Sequence, residues 1–173
     1  MADLLEALLQ IRALAGTPAR VARLVDSTDP RLWLARRTPS ERSPVEVLAH
    51  LARAEEAFVA SIRLILDRER PSLPIVGAAG PGASGHTGGG DPALELATFS
   101  SRRRETVALL ATCSAAQLER AGVHPVRKLV TVADVVAIML AHDTDHLGQI
   151  LDRLGRAVPG DEPDARREPP ARR

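Results

Sequence analysis

The chain has 173 residues, and its 23 basic and 22 acidic side chains leave a formal net charge of +1, so no global electrostatic argument points to nucleic acid. This length suits one domain with a real core, and a single cysteine, Cys113, excludes an intramolecular disulfide and a cysteine zinc cluster. Aromatic residues are 2% of the chain, against 45% apolar overall, so the core must be Leu, Val, Ile and Ala, which favours helices over a β-sandwich.

The N-terminal stretch MADLLEALL carries acids where a secretory signal would carry bases, and no run reaches the ~18 apolar residues of a membrane span. The expectation is a cytoplasmic protein with no membrane partner. From Ala2 to about Val25, Leu5, Leu8, Leu9, Leu14, Val21 and Leu24 recur at helical spacing. Thr17 and Pro18 form a cap and a first-turn proline that kink or restart that helix. Residues 26–42 read as a connection with a short turn around Trp33.

The second helix starts at Ser43, with Pro44 and Glu46 completing a capping box, and ends near Arg70 because Pro71 and Pro74 cannot continue it. Val47, Leu51, Ala54, Phe58, Ile62 and Ile65 form its stripe, with His50 on the same side. Residues 71–92 hold seven of the chain's twelve glycines and read as a flexible loop. It is longer than the ~2–8 residues that join neighbouring antiparallel helices. Either it crosses the length of a bundle, making the second and third helices parallel, or it is an insertion in an antiparallel turn.

The third helix covers Pro92 to Cys113, with Leu96, Phe99, Val107 and Leu110 inward and Arg102 to Arg104 mostly outward. Ser114 to Gly122 is a short helical turn. The fourth helix runs from Thr131, with Asp134 as the capping-box acid, to about Leu154. Its stripe is Val135, Ile138, Met139, His142, His146, Gln149 and Ile150. The proline- and charge-rich residues 157–173 have the composition of a disordered tail, leaving residues 1–156 as the folded domain.

Two imidazoles four residues apart lie one above the other on a helix and can converge on one ion. His142 and His146 have that spacing, and a third imidazole, His50, sits on the stripe of another helix. Three histidines with open coordination positions suit a reactive centre better than a structural one. The alternative is a set of histidines hydrogen-bonded to their neighbours. Glu55 lies about 140° around the helix from His50, so it reads as a buried hydrogen-bond partner or a solvated acid rather than a ligand. Asp145 reads as an exposed acid or an orienting group behind His142. Gln149 is on the ligand face, as a donor or a core-edge amide. His86 and His124 read as surface histidines that a loop folding over the site could bring near. No residue stands out as a general base, so catalytic residues are unassigned.

SPVEVLAHLARAEEAF, followed by VTVADVVAIMLAHDTDHLGQI, resembles the DinB/YfiT-like superfamily of metalloenzymes. The resemblance follows the element order from about Leu4 to Leu154 and is close in the second and fourth helices. It implies an all-α four-helix bundle with a long crossover between helices 2 and 3. It also implies a divalent metal ion, nickel or zinc, on His50, His142 and His146. Characterised relatives include transferases and isomerases that use a low-molecular-weight thiol such as mycothiol or bacillithiol, and dimers are common. The implied function is therefore thiol S-transfer or isomerisation of a small electrophilic substrate. A non-catalytic metal- or small-molecule-binding stress-response protein is the alternative, and a metal-free structural bundle is a third reading. The chain departs from the family where many members have tryptophan before the SP of helix two (Arg42 here) and histidine before the last ligand (Asp145 here). Its glycine-rich loop is also longer than usual.

Overall fold

Apolar side chains recurring every three or four residues wind most of this chain into helices. The computed structural model describes residues 2–74 and 90–155. In chain order the elements are α1 (Ala2–Asp26), α2 (Pro30–Leu34), α3 (Pro44–Asp67), α4 (Pro92–Ala111), α5 (Ala115–Leu118), β1 (Ala121–His124), β2 (Lys128–Thr131) and α6 (Val132–Arg153). None of the described helices is long and apolar enough to cross a membrane. The expected tail at 157–173 and most of the expected 71–92 loop, including His86, lie outside the described residues.

Helix starts follow from local chemistry. Glu46 accepts hydrogen bonds from the Ser43 backbone N–H at 2.8 Å and from its Oγ at 3.1 Å, and Pro44 occupies the first turn of α3. Asp91 accepts from Ala93 N–H at 2.9 Å to open α4. Thr131 and Asp134 bond reciprocally, N–H to side chain, at 2.8 and 3.0 Å to open α6.

Two apolar clusters mark the two ends of the bundle. One gathers Ala7 and Leu14 of α1, Ile62 and Ile65 of α3, Leu110 of α4, and Val132 and Val136 of α6. The other gathers Val21, Trp33, Val47, Leu48, Phe99 and Ile150. α1 and α6 therefore run from the first cluster to the second, and α3 and α4 run the opposite way. Each of α1 and α3 packs against both α4 and α6, so α1 lies diagonally across from α3. α3 ends and α4 begins at opposite ends of the bundle. This is the crossover reading of the sequence, with α3 and α4 parallel.

Three expectations need correction. The buried face of α1 is Ala7, Ile11, Leu14, Thr17 and Val21, while Leu5, Leu8 and Leu9 are more than half exposed. Residues 121–131 form an antiparallel hairpin with Ala121 opposite Thr131 and His124 opposite Lys128. Its turn, Pro125-Val126-Arg127, lacks the Asn-Gly or Asp-Gly signature of short hairpins, and Lys128 takes a left-handed φ of 68° without being glycine. Pro71 to Leu73 pair with Val123 along the outer edge at 2.7 and 2.9 Å. This brings Leu73 so close that a Cβ on Gly122 would stand 2.7 Å from its Cγ, which is why glycine is needed there.

The third correction concerns Arg103, expected to face outward and found 1% exposed. Its guanidinium has five N–H donors, and all five are used. Nε and Nη2 donate to Glu55 Oε1 of α3 at 3.0 and 2.5 Å. Nη1 and Nη2 donate to the two carboxylate oxygens of Asp143 of α6 at 2.6 and 2.9 Å. Nη1 also donates to the Leu14 carbonyl of α1 at 2.9 Å, while Glu55 Oε2 accepts from Thr106 Oγ1 at 2.7 Å.

The Leu14 bond also explains why α1 does not break at Pro18, which lies inside the helix. Proline has no N–H for the carbonyl four residues earlier, and that carbonyl, on Leu14, is the one Arg103 takes. Burial alone would favour a neutral guanidinium, but the bonds to Asp143 and Glu55 outweigh it and raise the Arg103 pKa, holding it charged. Replacing Arg103 by alanine strands two buried carboxylates and should cost roughly 3–5 kcal/mol of stability. Urea unfolding measures this, and a loss below about 1 kcal/mol, as for an exposed ion pair, contradicts the hub.

Candidate metal centre

α3 and α6 are antiparallel neighbours, and their facing stripes carry the histidines. His50 sits between the buried Ala49 and Leu51 of α3, and His142 and His146 stack one turn apart on α6. His142 Nε2 lies 3.2 Å from His50 Nε2 and 3.1 Å from His146 Nε2. Among the described residues, these are the one set of three metal-ligating side chains whose donor atoms gather within 4.8 Å of one another. All three rings are half-buried, and Phe58 packs edge-on against His142 with centroids 5.6 Å apart.

The spacing fits a shared ion. Nitrogens at the ~2.0–2.1 Å of a zinc–imidazole bond stand roughly 2.9 Å apart for a 90° angle and roughly 3.4 Å apart for a tetrahedral one. The two measured separations fall between these. Protonation also fits. Gln149 Oε1 lies 3.1 Å from His146 Nδ1 and accepts from Arg153 Nη1 at 3.2 Å. An oxygen there means that Nδ1 carries the proton, which leaves the Nε2 lone pair of His146 pointing at the other two rings. The sequence reading offered Gln149 as a donor or a core-edge amide; in the structure its oxygen accepts and orients the His146 ring. Burial first, and then the neighbouring His146 charge, push His50 and His142 down to about 4. Burial lowers His146 too, against the opposing bond to Gln149. Neutral rings with converging lone pairs are what a divalent cation requires.

The surrounding acids divide sharply. Glu55 is buried on Arg103 and is no ligand, matching the hydrogen-bond reading of the sequence. Asp143, next in sequence to His142, is buried on the same arginine and fixes the α6 backbone that carries the histidines. Asp145 is exposed and faces a cavity of about 600 Å³ between α3, α6 and the hairpin. His142 lines the same cavity, with apolar walls from Phe58, Val130 and Ile138. His124 lines it as well, so the hairpin brings it towards the site, as the sequence allowed for a folded-over loop. Arg42 is exposed but close enough for its charge to lower both His50 and His146.

Arg103 and Asp143 are the site-supporting residues that the sequence reading missed, although a signal existed. Phe99, Arg103, Thr106 and Leu110 follow one another at helical intervals, so Arg103 shares the stripe of two core residues. Asp143 falls four after Met139 and seven before Ile150 on the innermost line of α6.

Comparison with known proteins places this geometry in a family. No curated protein is significantly similar in sequence. Among solved structures, YfiT from Bacillus subtilis, a probable metal-dependent hydrolase with an unusual four-helix bundle topology, superposes with a TM-score of 0.71 at 19% identity. The match covers 87% of this chain and 89% of that one, and at this identity it speaks for the fold alone. The DinB superfamily model matches residues 13–150, a span that takes in all three histidines and the whole Arg103 hub. The chain belongs to the DinB superfamily.

Proposed function

We propose that His50, His142 and His146 hold one divalent ion, nickel or zinc, and that the chain is a metal-dependent enzyme. Its reaction is transfer or isomerisation of a small electrophile through a low-molecular-weight thiol, in the cytoplasm, where such thiols stay reduced. The observation that carries this reading is that His142 belongs both to the three-nitrogen cluster and to the cavity wall. A divalent ion there would supply a Lewis acid and hold a thiol as its thiolate. The chain's own part is to present three neutral nitrogens and to fix the His146 ring through Gln149 and Arg153. It also walls off a cavity that is apolar apart from a few side chains.

The acids bear on the choice between a thiol and water. Glu55 and Asp143 are committed to Arg103, so among the described residues Asp145 is the one carboxylate on the cavity. An ion acidifies a bound thiol or a bound water alike, and Asp145 is the carboxylate on hand to take a proton in water attack, which the description of YfiT suggests. With metal-loaded protein, Asp145→Asn should leave thiol conjugation within about threefold of wild type. A loss of the 10²–10⁴-fold typical of a missing general base makes Asp145 the base for the thiol and contradicts activation by the ion alone.

Two further outcomes follow. Untagged protein should bind about one ion per chain. His142→Ala should lose at least the roughly 10–100-fold in affinity seen when even outer partners of a ligand are removed, and full retention of metal in that variant sinks the site. In the metal-free protein, His50 and His142 titrate near 4 in the folded state but near ~6.5 in the unfolded chain. Between those values the unfolded chain binds more protons, so stability rises with pH across the window and is lost as pH falls from ~6.5 towards 4. Urea midpoints across that range should show the slope, and His142→Gln should reduce it. An identical slope in the variant contradicts the assignment.

A further inference from the structure

The hairpin contributes more to the cavity than a wall. His124 Nδ1 accepts two backbone hydrogen bonds across its own turn, from Val126 N–H at 3.2 Å and Arg127 N–H at 3.1 Å. A nitrogen that accepts two N–H groups carries no proton, so the ring keeps its proton on Nε2 and offers it as a donor. Arg127, on the same turn, also lines the cavity. Its guanidinium makes no ion pair among the described residues. Asp145, the cavity's one described carboxylate, is not within ion-pair distance of it. The rest of the hairpin's lining is apolar, through Val126 and Val130.

We infer that the hairpin end of this cavity is an anion subsite. It takes the carboxylate of a small, otherwise apolar molecule, with Arg127 supplying the charge and His124 Nε2–H a neutral donor. An arginine fork matches a carboxylate geometrically. The inference rests on the proposed metal reading only for what happens at the other wall, where His142 stands. The carboxylate itself could belong to the thiol or to the electrophile. The hairpin's chemistry is the same for both, and the identity of the carrier is left to experiment.

The test uses cobalt-loaded full-length protein and reads the sulfur-to-cobalt charge-transfer band, not turnover. A series of ω-mercapto acids, from mercaptopropionate to mercaptooctanoate, is titrated alongside the matching ω-mercapto alcohols. If the thiol carries the carboxylate, one chain length should show an acid preference of roughly tenfold, the low end for a hydrogen bond to a charged group. Arg127→Ala should abolish that preference while leaving the alcohol's affinity unchanged.

If the electrophile carries the carboxylate, sulfur-free hexanoate should bind protein already holding 2-mercaptoethanol. It should do so without bleaching the band, and calorimetry should show that binding lost in Arg127→Ala. The subsite is overturned if neither the acid preference nor hexanoate binding depends on Arg127. Should no thiol produce a band, the thiol reading fails by itself, and hexanoate calorimetry still decides the subsite: binding lost in Arg127→Ala supports it, and no binding overturns it. Arg127 is an exposed turn residue, so the variant should fold, and its far-ultraviolet dichroism checks this.

Discussion

A single buried guanidinium joins the four long helices of this protein. Arg103 of α4 reaches Leu14 on α1, Glu55 on α3 and Asp143 on α6, and spends all five donors on them. A charge in an apolar interior is tolerated only when fully paired, and losing any one partner leaves the others exposed to that penalty. The hub therefore constrains helix register more sharply than apolar contacts can, since apolar side chains repack when helices slide. It also lets a proline sit inside α1, because the carbonyl that Pro18 leaves free is one the arginine needs. Arginine is required, since a lysine ammonium has three donors and no planar fork.

The proposed centre depends on this constraint through Asp143. Fixing the residue beside His142 sets the rotation of α6, and with it the direction in which His142 and His146 point. Glu55 does the same for α3, five residues beyond His50. Three imidazoles from two helices approach within hydrogen-bond distance only if both helices hold their rotation and height, and the arginine grips both. Glu55 and Asp143 are tied to Arg103, which leaves the cavity, among the described residues, with one exposed acid and a cationic hairpin.

Much of this was legible in the sequence because it was periodic. The capping boxes at Ser43 and Thr131, the α3 and α6 stripes and the His50, His142, His146 set all follow from spacing. The length of the 71–92 segment left parallel and antiparallel α3 and α4 both open, and only the family resemblance chose the crossover. The rest was hidden for identifiable reasons. Arg103 stood in a run of three arginines that looks like a solvated face, and its burial is affordable only because Glu55 and Asp143 arrive from other helices. Those are long-range facts that no local window contains. The hairpin has four-residue strands and no glycine in its turn, so its signal was weaker than the helical one around it. In α1 the leucines outvoted the true face, which buries the small residues Ala7 and Thr17 beside Ile11, Leu14 and Val21.

The central claim is that the three histidines share one ion, and X-ray absorption at the metal edge of loaded, untagged protein tests it most directly. The account predicts three imidazole nitrogens at about 2.0–2.1 Å if the ion is zinc, falling to two in His50→Ala. A shell with one imidazole or none, or one unchanged in that variant, would contradict it.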